Sequence, residues 1–180
     1  ADEIYINMVY NGKECTPISE VVGEVPAIAL KGISKEFPWP GGRCGWMEVY
    51  NHHKDPMFEL YIQSILNAKM LEVSSTTLPQ AVIPEVMSNP KYVDWQKERN
   101  SFFEKRSQAI GKIFSDCPGV IVNPPDGAFY VSVVFNSELR EDMRLKMPDP
   151  AISSYIDKLC PPGVEPDRKF EYHLLGSKNI

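Results

Sequence analysis

The sequence has 180 residues, a formal net charge of −5 and 43% hydrophobic residues. This composition is ordinary for a globular protein, and the length accommodates one large domain or two small ones. The mild acidity argues against nucleic acid or an anionic membrane as the main partner, and no apolar run approaches the roughly 20 residues of a membrane-spanning helix.

The first fifty residues predict short strands separated by turns. Residues 1–10 are typical of the end of a strand that runs into a loop. A nearly continuous apolar run over 25–33 predicts a strand covered on both faces, and the loose alternation of residues 43–50 predicts another. Lys35 is therefore expected just beyond the end of a buried strand.

Helices are predicted for the middle of the chain. Apolar residues at three-four spacing indicate an amphipathic helix over 56–72, and a shorter helix is expected over 77–88. A long helix follows at about 91–116, with Pro90 before its start and Gly119 beyond its end. A change of domain is expected along this long helix, because strands on its two sides would belong to different sheets.

The last third of the chain combines strands and helices. Residues 120–123 and 128–135 predict two strands joined by a Pro-Pro-Asp-Gly turn. The charged, proline-bounded residues 136–150 predict an exposed excursion. Two helices are expected at the end, over 151–159 and 167–178.

A lysine and an arginine lie on either side of a glycine-rich turn: Lys35 follows the first apolar strand, and Arg43 comes eight residues later. A lysine amine can form a Schiff base with an aldehyde cofactor and then act as a general base, while an arginine can bind a phosphate with two parallel hydrogen bonds. Ser34 adds a hydroxyl for the phosphate. Asp2 can keep a pyridine nitrogen protonated, and Tyr5 can donate to a phenolic oxygen. These groups are the ones that pyridoxal phosphate needs.

Each of these residues has an ordinary interpretation when it is taken singly. A lysine is usually solvated on the surface, a tyrosine usually packs, and a Pro-Gly-Gly-Arg segment is usually only a turn. The shared order, spacing and flanking residues favour the cofactor site instead.

Metal binding is not predicted. The adjacent His52 and His53 are interpreted as turn residues, and His173 as a structural residue of a helix. The four cysteines, Cys15, Cys44, Cys117 and Cys160, are scattered without metal-ligand spacing. We expect them to be reduced thiols of a cytoplasmic protein.

With these motifs, the sequence resembles the class I/II (fold-type I) aminotransferases that use pyridoxal phosphate. The Asp-Glu-Ile-Tyr segment at 2–5 is similar to the family's Asp-x-x-Tyr motif. Residues 32–46 are similar to its signature, in which Ser-Lys is followed by Pro-Gly-x-Arg-x-Gly-Trp. Further resemblances cover 75–80, the Pro-x-Gly-Ala-Phe-Tyr hairpin at 124–130, and 167–180.

The resemblance implies an α/β fold. Residues 1–95 would be the second half of the large cofactor-binding domain, with a mainly parallel sheet and helices, and 96–180 most of an α+β small domain. The family's phosphate-binding loop, its ring-stacking aromatic residue and its carboxylate-binding arginine have no counterpart among the 180 residues. We therefore expect a partial chain that is inactive or nearly so on its own.

The resemblance also implies a reaction, in which an amino group moves between an amino acid and a 2-oxo acid through a pyridoxal phosphate Schiff base on Lys35. Asp2, Tyr5, Ser34 and Arg43 would be further cofactor contacts, and the full-length protein a homodimer. Two alternatives stay open. One is another reaction of the same cofactor and fold, such as that of a β-lyase, an aminocyclopropane-carboxylate synthase or a decarboxylase. The other is a catalytically dead homologue that keeps the fold for binding.

Overall fold

The structure is a computed structural model that describes residues 1–136 and 149–178. The chain divides into two compact units: the first comprises 1–108 and 125–130, and the second comprises 109–124 and the described residues from 131 onward. The boundary expected between residues 95 and 96 stays a prediction. The excursion expected over 136–150 lies almost wholly outside the described residues.

The first unit is built around two antiparallel strands, β1 (Ala27–Gly32) and β2 (Gly45–Tyr50). They confirm the two predicted strands with slightly shorter bounds. The expectation that the first strand is covered on both faces is wrong, because Leu30 is 51% exposed. Ala29, in the middle of β1, is fully buried, in keeping with the apolar run that predicted this strand. Residues 1–10 add a parallel bridge between Asp2 and Leu30 and then continue as turns.

Two one-turn helices, α1 (Ile18–Val21) and α2 (Ile33–Glu36), were not predicted. The second follows β1 directly, so Lys35 lies within a helical turn. The Ile33 side chain is fully buried and anchors this turn. The Ile33 N–H donates to the Cys44 carbonyl at 3.2 Å, which ties the start of α2 to the residue before β2.

Three longer helices follow in the chain: α3 (Pro56–Lys69), α4 (Thr77–Ser88) and α5 (Lys91–Phe114). They confirm the predicted helices to within three residues at each end. The Asp55 carboxylate caps α3 by accepting hydrogen bonds from two backbone N–H groups of its first turn, at 2.8 and 3.1 Å. Such a cap satisfies donors that have no partner inside the helix.

The second unit contains the antiparallel strands β3 (Val120–Val122) and β4 (Val133–Phe135) and two helices, α6 (Pro150–Leu159) and α7 (Pro166–Lys178). Both helices confirm the sequence prediction, and β3 confirms the first strand of the predicted hairpin.

A ring contact and two buried side chains contribute to the core of this second unit. The ring centres of Phe135 and Phe170 lie 4.8 Å apart in an edge-on arrangement. Ile156 of α6 and His173 of α7 are both buried. The burial of His173 agrees with its interpretation as a structural residue.

The segment 125–130 joins the first unit, which is why the strand predicted over 128–135 forms only at its end. The Ala128 N–H donates to the Met8 carbonyl at 2.8 Å, and the Tyr10 hydroxyl donates to the Ala128 carbonyl at 3.1 Å. The hydrogen bonds that a longer β4 would need are thus made to the N-terminal segment. As a result, Phe129 is held against the first unit.

Candidate active site

A cleft of about 660 Å³ opens in the first unit beside α2. Its walls are mainly aromatic and apolar, with contributions from α2, from α5 and from the segment 125–130. Clefts of this kind, in which few polar groups converge on apolar walls, are typical of small-molecule sites. The residues that matter most here are Ser34, Lys35, Trp95, Phe102, Phe103 and Phe129.

The Lys35 amine faces this cleft. Its nitrogen lies 5.0 Å from the centre of the Phe129 ring, within the range of a cation–π contact. Across residues 1–136 and 149–178, no carboxylate forms an ion pair with Lys35. An amine that lines a cleft and is not neutralised by a carboxylate is available for covalent bonding to an aldehyde.

Tyr5 contacts the same aromatic ring from another direction. Its ring meets Phe129 edge-on with 5.4 Å between centres, and its hydroxyl donates to the Tyr130 hydroxyl at 2.9 Å. Burial, together with this hydrogen bond, raises the pKa of the Tyr5 phenol to about 12. The phenol is therefore a neutral hydrogen-bond donor at physiological pH.

The other predicted site residues lie in different places. Ser34 lines the cleft next to Lys35. Asp2 lines a second cavity of the first unit, of about 470 Å³, together with Tyr5, and its carboxylate accepts from a backbone N–H two residues later at 3.1 Å. Arg43 is exposed, and its guanidinium donates to the Pro40 carbonyl at 2.8 Å. Pro40 itself lines the cleft.

A buried polar network beside the lysine was not predicted. The Glu36 carboxylate, 7% exposed, accepts from Asn7 at 3.0 Å, from Gln96 at 2.6 Å and from the Tyr92 hydroxyl. Burial and the bond to Glu36 raise the pKa of the Tyr92 phenol. A charged residue at the end of an apolar run was the available signal in the sequence. Its partners are distant in the chain: Asn7 lies 29 residues away, and Tyr92 and Gln96 lie 56 and 60 residues away on α5.

The remaining chemistry-bearing side chains form no further centre in the part of the chain that the structure describes. Within it, no group of three or more histidine, cysteine or acidic residues could hold a metal ion. The four cysteines are free. No helix of the described segments combines the length and the apolar character needed to cross a membrane.

Residues 1–154 match the family model described as aminotransferase class I and II. The chain therefore belongs to the class I and II aminotransferase family, and the predicted family is confirmed. An uncharacterized aminotransferase of Methanocaldococcus jannaschii is 47% identical over 180 residues, which cover 99% of this chain and 41% of that protein.

Two solved structures extend the comparison to the fold. The alanine aminotransferase from Pyrococcus furiosus superposes with a TM-score of 0.62 at 28% identity, covering 74% of this chain and 33% of that one. A C–S lyase from Staphylococcus hominis, described as bound to pyridoxal phosphate, superposes with a TM-score of 0.62 at 13% identity, covering 88% and 37%. The fold class predicted from the sequence is thereby confirmed.

The chain spans less than half the length of each of these proteins. The two small strand pairs that the structure describes correspond to a part of the larger α/β fold. Both pairs are antiparallel, whereas a mainly parallel sheet was expected of the large domain. The roles given to Asp2, Tyr5, Ser34, Lys35 and Arg43 stay predictions.

Proposed function

We propose that the protein containing this chain transfers an amino group between an amino acid and a 2-oxo acid, with pyridoxal phosphate as cofactor. The observation that supports this most strongly is the Lys35 amine, which faces an aromatic-walled cleft and has no carboxylate partner within the described residues. Membership of the aminotransferase family supports the reaction type.

The residues around the cleft fit the cofactor chemically. When bound, pyridoxal phosphate supplies an aldehyde for covalent attachment and a ring that accepts electrons from the reacting carbon. Lys35 would hold the aldehyde carbon, and the neighbouring Ser34 hydroxyl would bind a phosphate oxygen. The protonated Tyr5 phenol would donate a hydrogen bond, as the raised pKa allows.

Two further residues complete the proposed set. Asp2, which shares a cavity with Tyr5, would hold a proton on the ring nitrogen as its counter-charge. Arg43 would bind the phosphate with its planar guanidinium, after exchanging its bond to the Pro40 carbonyl for bonds to phosphate oxygens.

Lys35 would also move a proton. Once a substrate amine has replaced the lysine amine on the cofactor, the free Nζ of Lys35 can take up the proton from the substrate α-carbon. The adjoining Phe129 ring attracts the resulting ammonium. Unlike a carboxylate, the ring does not neutralise the positive charge. Phe129 would thereby keep the protonated amine in the cleft.

We expect the assembled protein to be a homodimer, as the resemblance implies, and to be cytoplasmic, as the scattered cysteines indicate. We expect the 180 residues alone to have little or no activity, because they span 41% of the Methanocaldococcus relative. Tests of function therefore need the full-length protein.

Dependence on a 2-oxo acid tests the proposal. The full-length protein, with pyridoxal phosphate and a panel of amino acids, should form a new amino acid only when a 2-oxo acid is added. Lys35→Arg should lower this turnover at least about a thousandfold, since it keeps the charge but removes the nucleophilic amine. Lys97→Arg, at an exposed site on α5, is the matched control and should retain the wild-type turnover.

Two outcomes would contradict the proposal in different ways. Product formation without any 2-oxo acid would indicate a lyase or decarboxylase on the same fold. The absence of an absorption band from bound cofactor would indicate a homologue that keeps the fold for binding alone.

A further inference from the structure

Arg99 of α5 binds the backbone that carries the cleft lysine. Its guanidinium donates to the Glu36 carbonyl at 2.8 Å and lies 3.4 Å from the Lys35 carbonyl, while its other terminal nitrogen donates to the Asn7 carbonyl at 2.8 Å. One side chain thus connects α5, α2 and the N-terminal segment. The last carbonyls of a helix have no partner within it, so Arg99 supplies the donors that α2 lacks.

The guanidinium is itself held in one orientation. It lies 5.0 Å from the centre of the Trp95 ring, and two of its nitrogens donate to the Asn100 amide oxygen at 3.1 and 3.2 Å. The Asn100 amide nitrogen donates in turn to the same Asn7 carbonyl at 2.9 Å. Because these contacts already fix the Arg99 guanidinium, it loses little further conformational freedom when it binds α2.

Charge in this region is balanced by Glu36. Burial lowers the pKa of the Arg99 guanidinium, and the Glu36 carboxylate opposes that effect. One oxygen of that carboxylate, Oε1, accepts hydrogen bonds from Asn7, Gln96 and Tyr92, while the Arg99 guanidinium binds backbone carbonyls. Among residues 1–136 and 149–178, Arg99 forms no ion pair within 4.0 Å.

A one-turn helix needs such external support. Residues 33–36 form a single turn, closed by a hydrogen bond from the Phe37 N–H to the Ile33 carbonyl at 3.2 Å. Helices this short are unstable by themselves, because nucleation fixes several residues for one hydrogen bond. A displacement of about 1 Å at a reacting group can cost about a hundredfold in rate.

We propose that Arg99 is a positioning residue for Lys35: by binding the Lys35 and Glu36 carbonyls, it fixes α2 so that the amine points into the cleft. This inference rests on the proposed function, because that function is what assigns a chemical role to the Lys35 amine. Arg99 also lines the cleft, and the role proposed here is carried by its hydrogen bonds to the two backbone carbonyls. A lysine in its place would keep the charge but not the several donors of the planar guanidinium.

Three variants of the full-length protein test the inference: Arg99→Met, Arg99→Lys and the control Lys97→Met. Lys97 lies on the same helix, is exposed, and pairs with Asp94 at 3.7 Å. The first readout is hydrogen exchange of the cofactor-free protein over 33–37 and over β1 and β2. The second is the rate at which pyridoxal phosphate and borohydride label Lys35.

Arg99→Met should speed exchange over 33–37 at least about tenfold, leave β1 and β2 unchanged, and slow labelling of Lys35 at least about tenfold. Arg99→Lys should fall between Arg99→Met and the wild type. Lys97→Met should stay within about twofold of the wild type, because it removes a charge without touching α2.

Failure of this inference is distinguishable from failure of the proposed function. If the wild type labels Lys35 and Arg99→Met labels it equally fast with unchanged exchange, the positioning role is overturned and the function stands. If the wild type does not label Lys35, the function fails, and the exchange data still decide the role of Arg99. If Arg99→Met also speeds exchange of β1 and β2, the result for Arg99→Lys decides. Exchange and labelling rates of Arg99→Lys equal to those of the wild type would overturn the positioning role.

Discussion

At Lys35 the side chain and the main chain have different partners. The amine faces the Phe129 ring at 5.0 Å, while the carbonyl accepts from Arg99 at 3.4 Å. The side chain is thus free for chemistry because the backbone carries the structural contacts. The next residue, Glu36, differs, because its carbonyl and its carboxylate are both hydrogen-bonded within the first unit.

The Tyr5 phenol should ionise only at high pH. Burial and the bond to Tyr130 raise its pKa from 10.0 to about 12. In a pH titration followed at 295 nm, the wild-type minus Tyr5→Phe difference should therefore develop near pH 12. Tyr61→Phe, at an exposed position of α3, calibrates the absorbance of one phenol. A difference already complete near the ordinary value of 10.0 would contradict the partly buried, hydrogen-bonded geometry.

The raised pKa also fixes the sign of a stability effect. The folded state holds the Tyr5 proton to higher pH than the unfolded state does, so the free energy of unfolding should fall as the pH rises from about 10 toward 12. Tyr5→Phe should remove that part of the pH dependence.

Single residues of the site were predictable where a motif carries their chemistry. The pairing of Lys35 with a glycine-rich turn and Arg43 is visible in the sequence, and Ser34 and Lys35 do line one cleft. The contacts of Arg99 were not predictable, because they join residues 63 to 92 positions apart and depend on where α5 packs. Local pattern carries no information on such pairings.

Among the elements, the short helix α2 and the segment 125–130 determine the cleft. The first carries the lysine, and the second presents the aromatic ring that faces it. Neither element could form these contacts alone. The segment depends on backbone bonds to residues 8–10, and α2 depends on donors from α5.

Gly127 is the residue that permits the segment 125–130 to lie against the N-terminal segment. A Cβ at this position would lie 2.9 Å from the Met8 carbonyl oxygen. Gly127→Ala should therefore lower the free energy of unfolding by about 1–3 kcal/mol in urea titration. It should also displace Phe129 from the lysine.

Gly41→Ala is the matched control for that substitution. A Cβ at Gly41 would meet nothing within 4 Å, so the change in stability should stay within about 0.5 kcal/mol. Equal effects of the two substitutions would mean that the close approach at Gly127 does not hold the segment in place.

The helices were predictable because their signals are local. The three-four spacing in α3 and the flanking proline and glycine of α5 need no knowledge of the rest of the fold. The strand expected over 128–135 formed only over Val133–Phe135, because residues 8–10 compete for the backbone groups before it. That competition is set by long-range contacts.

For the molecule as a whole, we expect the proposed cofactor site to be a part of a larger one. The chain spans 41% of its Methanocaldococcus relative, and the described residues bury few large apolar side chains. Several side chains along and after α3 are exposed, including Met57, Met70 and Val73. Measurements of cofactor binding therefore belong to the full-length protein.

The most direct test of the central claim is to identify the residue that binds the cofactor. The full-length protein is incubated with pyridoxal phosphate, reduced with borohydride, digested, and mapped by mass spectrometry. We predict one phosphopyridoxyl group, on Lys35, and its loss in Lys35→Arg. A label on another lysine, such as Lys31, which pairs with Glu48 at 2.9 Å, would contradict the assignment of Lys35 as the residue that binds the cofactor.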